Sequence, residues 1–318
     1  MQHMRIGIAE PIHPILAERL MSAGHTCTPT HTLSPIQHSD PLLQLEGLVV
    51  RSRPVTADLL AHCPRLKFVG RVGAGLENID TTYCRRKNIH VLNSPEGNRD
   101  GVGESCVMLL LALMKSLVHA NMSVRAGLWP REALRGTDLR GKTVGIIGFG
   151  QMGSAFAEKL RGFGVRILGH DKYRSGFGRA GIEECDLEHV LRESDVISLH
   201  LPLNADTLHY ADAAFFSRMR KPIWFLNTSR GPIARTTDVL DALDQGRVIA
   251  AALDVLEYEQ ADLSGLEIPT DRSTYDRLIR HDRVLLTPHI AGVTHEGKYK
   301  MADVLASKIL HLFPHGTT

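Results

Sequence analysis

The chain has 318 residues, 43% of them hydrophobic and 23% charged, which suits a globular protein of two ordinary domains that can each bury a core. A formal net charge of +2 gives no electrostatic footing for nucleic acid, and no apolar run is long enough to span a bilayer. Cysteines 27, 63, 84, 106 and 185 are scattered without a Cys-x-x-Cys, so free thiols and no metal site are expected. The chain runs straight into Arg5-Ile6-Gly7-Ile8 with no leader of signal-peptide type, and a cytoplasmic protein is expected.

In chain order, Arg5 to Ala9 reads as a strand and Pro14 to Ala23 as a helix stopped by Gly24. Leu45 to Val50 is a second strand, followed by Arg51-Ser52-Arg53-Pro54, and Thr56 opens a helix. Leu66 to Val69 and Ile89 to Leu92 are further strands, the first running into Gly70-Arg71-Val72-Gly73-Ala74-Gly75. This alternation predicts a small α/β domain with a parallel sheet. Glu104 to Asn121 has the apolar pattern of one long helix, and Arg125 to Arg140 is a basic, solvated arm containing Trp129. Strands follow at Val144 to Ile147, Val165 to Leu168, Val196 to Leu201, Ile223 to Leu226, Val248 to Leu253 and Val284 to Leu286, and a last helix runs from about Lys298 to Leu312.

The strand Val144 to Ile147 leads into Gly148-Phe149-Gly150-Gln151-Met152-Gly153, then a helix to Arg161, then a strand ending at Asp171. Strand, G-x-G-x-x-G turn, helix, strand and acid stand in the order a dinucleotide fold requires. The first glycine permits the tight turn, the second lets the backbone approach a pyrophosphate, and the third lets helix and strand pack closely. The helix N-terminus then offers N–H groups to the phosphates. Asp171 can accept bonds from the adenosine ribose hydroxyls and would repel a 2′-phosphate, so NAD is favoured over NADP; Lys172 and Arg174 act against that preference.

Ligands of open α/β sheets gather at the C-terminal ends of strands. Just past the later strands stand Asn227-Thr228-Ser229-Arg230-Gly231, Asp254 to Glu259, and Pro288-His289-Ile290-Ala291-Gly292. Hydride transfer needs such a set. A histidine exchanges the alcohol proton, a carboxylate behind the imidazole orients it and supports its protonated form, and an arginine polarises the carbonyl and grips a carboxylate.

On these motifs, with His200-Leu201-Pro202, the chain resembles the D-isomer-specific 2-hydroxyacid dehydrogenases over nearly its full length. The resemblance implies two Rossmann-like or flavodoxin-like α/β domains with parallel sheets and an active site in the cleft between them. Residues 1–99 and 288–318 would form the substrate domain and 100–287 the NAD domain. It makes Arg230, Glu259 and His289 catalytic. It assigns cofactor contacts to Gly148, Gly150, Gln151, Met152, Gly153, Asp171, His200, Pro202, Thr228 and Asp254, the last at the nicotinamide carboxamide. Backbone N–H groups of Val72, Gly73 and Ala74 would take the substrate carboxylate.

Within the family, the stretches Gly70 to Asp80 and Asn93 to Asn98 look most like those of 3-phosphoglycerate dehydrogenases, with Arg71 and Arg51 placed to meet a phosphate. This implies a short form acting in serine biosynthesis, without a regulatory domain. The alternatives are a glyoxylate, hydroxypyruvate or other 2-oxo acid reductase, or a non-enzymatic NAD-binding scaffold of the corepressor kind. The formate branch, which carries glutamine at the Glu259 position, is disfavoured. The implied partners are a small 2-hydroxy or 2-oxo acid and a second copy of the chain, with no nucleic acid and no membrane. Two departures stand out: Gln260 replaces the family's usual proline, and Asp262 to Arg283 is longer than usual.

Overall fold

The computed structural model describes residues 3–30, 40–179, 181–260 and 262–314. The chain forms two compact units, Met1–Arg99 with Gln260–Gly265 and Val293–Thr318, and Asp100–Glu259 with Leu266–Gly292. The expected boundary at 288 falls inside a segment tied to the second unit: His289 N–H donates to the Asp254 carbonyl at 2.7 Å.

The first unit holds strands β1 (Arg5–Ile8), β2 (Thr26–Pro29), β3 (Gly47–Val50), β4 (Phe68–Arg71) and β5 (His90–Asn93). They are all parallel, in the order β2-β1-β3-β4-β5, which is the flavodoxin-like winding. All four residues of β3 are buried, as its unbroken Gly47-Leu48-Val49-Val50 run requires between two helical layers. The edge strand β2 has no such run, and its polar, mostly exposed Thr26-Cys27-Thr28 gave no strand signal. Helix Ile15–Ser22 buries Leu16 and Leu20 in a cluster with Ile6 and with Ala302, Leu305 and Ile309 of the last helix. That helix begins at His295, earlier than the apolar pattern indicates, because the Thr294 hydroxyl caps it by accepting the Gly297 N–H.

The second unit holds β6 (Thr143–Ile147), β7 (Arg166–His170), β8 (Ile182–Glu184), β9 (Val196–Leu199), β10 (Ile223–Asn227), β11 (Val248–Leu253) and β12 (Val284–Leu286). The parallel order β12-β11-β10-β9-β6-β7-β8 contains the dinucleotide-binding winding with β12 added at one edge. The short edge strand β8 was again invisible to apolar patterning.

The long helix expected over Glu104 to Asn121 is instead two helices, Arg99–Met114 and Leu117–Arg125, bent by 61°. Ser116 takes φ +51 at the break, and the Met114 carbonyl accepts the Thr137 N–H instead of continuing the helix. Gly136 lets that returning chain approach, since a Cβ there would lie 2.8 Å from the same carbonyl. Among the described residues no single helix is long and apolar enough to cross a membrane.

Candidate active site

The glycine turn follows β6, and each glycine has a distinct steric reason. Gly148 has φ +92, and a Cβ there would meet the His200 carbonyl at 2.4 Å. A Cβ on Gly153 would lie 2.1 Å from the Gly148 carbonyl, so the helix Gln151–Lys159 could not seat against β6. At Gly150 a Cβ would meet nothing within 4 Å. The open side of the turn is therefore where backbone and pyrophosphate can meet, beside a helix N-terminus that no side chain caps. These residues fit a dinucleotide. Gln151 starts the helix, while Met152 packs toward the core.

The Asp171 carboxylate accepts the N–H groups of Phe149 (2.8 Å), Tyr173 (2.9 Å) and Arg174 (3.0 Å). It thus ties the end of β7 to the glycine turn and keeps acceptor capacity for a ribose. Lys172 is drawn into a 2.8 Å ion pair with Asp206. The Arg174 guanidinium donates to the Phe149 carbonyl at 2.8 Å.

Other expected cofactor residues have inward-facing roles. The His200 Nδ1 is buried with no hydrogen-bond partner among the described residues, and Ser198 Oγ lies 2.9 Å from Nε2. Burial lowers the His200 pKa to about 3, so the ring is neutral at ordinary pH and cannot serve as an acid there. Thr228 Oγ1 sits 3.3 Å from the buried Cys106 thiol, whose pKa burial pushes up to about 12. The Pro202 carbonyl accepts the Thr207 hydroxyl. All five cysteines are free.

Arg230, Glu259 and His289 stand on the loops after β10, β11 and β12, which are neighbours in the sheet. The buried Asn227 side chain organises the first loop, accepting Ser229 N–H and Oγ–H and donating to the Arg230 carbonyl. Gly231 is obligatory, because a Cβ would lie 1.9 Å from the Leu256 carbonyl of the second loop. Glu259 Oε1 accepts the Leu256 N–H at 2.7 Å, which aims Oε2 at His289 Nδ1, 2.8 Å away. Both side chains are partly exposed, at 17% and 26%. His289 has φ +55, a left-handed conformation that costs a non-glycine residue about 1–3 kcal/mol and must be held by its surroundings.

Asp254 is the residue expected at the nicotinamide carboxamide. It is 1% exposed, and its carboxylate is engaged by Thr287 Oγ1 (2.6 Å) and the N–H groups of Ile290 and Ala291 (both 2.9 Å). Which way a carboxylate faces is set by such donors and leaves no mark in the motif.

The substrate loops of the first unit differ from expectation. Val72 N–H donates to the Val50 carbonyl and Gly73 N–H to Ser94 Oγ, which engages two of the three groups expected at the substrate carboxylate. Ala74 and Gly75 are the neighbouring pair whose N–H groups have no hydrogen bond among the described residues. The Arg71 guanidinium donates to the Arg51 and Gly75 carbonyls. Arg51 presents an exposed side chain, while its N–H, with those of Ser52 and Arg53, donates to Glu10. Burial opposes charge on Glu10, but the Ser52 hydroxyl and these N–H groups together hold its carboxyl below the usual value. Neither Glu10 nor Gly75 was singled out from sequence as a site residue, although a glycine in the loop after a strand is a visible signal.

The family model described as D-isomer specific 2-hydroxyacid dehydrogenase, NAD binding domain, matches residues 107–291. The chain belongs to this family. It is 32% identical over 310 residues to a hydroxypyruvate reductase of Thermotoga maritima, covering 97% of this chain and 98% of that one. It is 30% identical over 312 residues to a D-3-phosphoglycerate dehydrogenase of Archaeoglobus fulgidus, but spans only 57% of that relative's length. Among solved structures, D-lactate dehydrogenase of Aquifex aeolicus, complexed with NAD and lactic acid, aligns with a TM-score of 0.82 at 25% identity, covering 98% and 96% of the two chains. The protein is an NAD-dependent dehydrogenase.

Proposed function

We propose that this dehydrogenase reduces a short, unphosphorylated 2-oxo acid of the hydroxypyruvate and glyoxylate class to the D-2-hydroxy acid. The observation that carries this reading is Arg71, expected at a substrate phosphate, whose guanidinium is bound to two backbone carbonyls. The near-complete length match to a hydroxypyruvate reductase supports it. The Arg230 guanidinium would take the substrate carboxylate. His289, protonated and held at Nδ1 by Glu259, would give its Nε2 proton to the carbonyl oxygen while Arg230 polarises it. NADH, when bound, supplies the hydride. A carboxylate 2.8 Å from Nδ1 fixes the ring's orientation and leaves Nε2 to face the substrate.

The second reading is 3-phosphohydroxypyruvate reduction in serine biosynthesis, favoured by the exposed Arg51 at the end of β3. Measuring kcat/KM with NADH for hydroxypyruvate, glyoxylate and 3-phosphohydroxypyruvate separates the two. The proposal expects the unphosphorylated acids to lead by at least about tenfold, and a lead for the phosphorylated acid overturns it. His289→Ala should lower kcat by ~10²–10⁴-fold on the best substrate, the usual range for a general acid. The exposed apolar face of the helix Leu117–Arg125 and Trp129 supports a homodimer as the working assembly.

A further inference from the structure

We propose that Thr287 and Asp254 are positioning residues for proton transfer, a bracket that holds His289 in its left-handed backbone conformation. This rests on the reading of His289 as the acid. His289 follows the edge strand β12, so only one neighbouring strand fixes it, and its φ of +55 lies in the left-handed region that few non-glycine residues occupy. Three hydrogen bonds to Asp254 supply the first part of the constraint. The Asp254 carbonyl accepts His289 N–H at 2.7 Å, and the Asp254 carboxylate accepts the next two N–H groups, of Ile290 and Ala291. One buried residue therefore gathers three consecutive amides around the histidine.

Thr287 closes the arrangement from the other side. Its hydroxyl donates to Asp254 Oδ1 at 2.6 Å, its carbonyl accepts His289 N–H at 3.0 Å across Pro288, and its N–H donates to the Leu253 carbonyl. The hydroxyl fixes the orientation of the carboxylate, and the carboxylate fixes the loop. A change at Thr287 reaches the imidazole through the backbone, without touching substrate or dinucleotide in the proposed scheme. Misplacing a reacting group by an ångström can cost on the order of 10²-fold in rate, so a partial release of this loop should register in kcat.

The test is Thr287→Val, which keeps shape and removes the hydroxyl, beside Thr287→Ser, which restores it. With hydroxypyruvate as substrate, Thr287→Val should lower kcat about tenfold, with KM for NADH changing less than about twofold. Thr287→Ser should recover most of the loss. Replacing NADH by its 4-deuterated form should give a larger isotope effect on kcat in Thr287→Val than in the parent, because the chemical step slows. Asp254→Asn, which offers an N–H₂ where donors already point, should lose more than Thr287→Val if it folds; Thr287→Val decides the matter either way. The inference is overturned if Thr287→Val keeps kcat within about twofold, or if Thr287→Ser is no better than Thr287→Val. His289→Ala separates the two failures. If that variant is impaired while Thr287→Val is not, only the bracket is wrong; if His289→Ala itself keeps its turnover, the acid assignment is wrong.

Discussion

His200 is a titratable ring in surroundings that disfavour its charged form. Its Nδ1 is buried with no partner among the described residues, and burial lowers its pKa from 6.5 to about 3. Above pH 6.5 both folded and unfolded chains hold it neutral, so it adds no pH dependence. As pH falls below 6.5 the unfolded chain takes up the proton and the folded one does not, so stability is lost progressively until about pH 3. The loss approaches about 1.4 kcal/mol per pH unit from this group. Urea unfolding of the parent and of His200→Gln at pH 7 and pH 5 should show the parent losing more stability on acidification; equal losses would contradict the burial. At this scale the placement of Arg230, Glu259 and His289 after three neighbouring strands was legible, because each is a chemically apt residue at a strand end. The facing of Asp254 and Thr228, and the engagement of the Val72 and Gly73 N–H groups, was not, because it depends on which partners neighbouring loops supply.

The elements were legible wherever a strand lies in the sheet interior, since β3, β6, β9 and β10 are buried and read as apolar runs. The edge strands β2 and β8 and the break at Ser116 answer to tertiary contacts. The long Asp262 to Arg283 segment is likewise explained only in three dimensions. Gln260 N–H donates to the Gly265 carbonyl at 3.0 Å, a bond that proline could not make, and this closes a short loop. The segment then forms helix Ser273–Arg280, with Leu278 buried in the core and Arg277 paired to Asp241 and Asp244 of the helix Thr236–Asp244. The two anchors differ in magnitude. Exposed ion pairs contribute about 0.2–1 kcal/mol each, whereas deleting a buried leucine side chain costs about 2–5 kcal/mol. Leu278→Ala should therefore lower the unfolding free energy by a few kcal/mol and Arg277→Ala by less. Denaturant titration checks this, and the reverse ranking would mean that charge, not burial, docks the helix.

For the whole molecule, the surface of the second unit is uneven. Leu117, Val118, Met122, Val124 and Leu128 are exposed along and just beyond the helix Leu117–Arg125, and Trp129 is 74% exposed. That helix buries none of its residues within the chain. Single exposed apolar residues are ordinary, but a run of this kind with a tryptophan marks a recognition surface. Arg125, Arg131 and Arg135 lie beside it, giving the polar rim that stable interfaces carry around an apolar centre. Homo-oligomers most often close by two-fold symmetry, in which one self-complementary patch meets its copy. A glutamate at the centre of such a patch would face its own counterpart across the axis and would bury an unpaired charge. The parent is therefore expected to sediment as a dimer at micromolar concentration, and Met122→Glu with Trp129→Glu to sediment as a monomer with its circular dichroism retained. A monomeric parent, or a double variant that stays dimeric, would place the contact elsewhere or remove it.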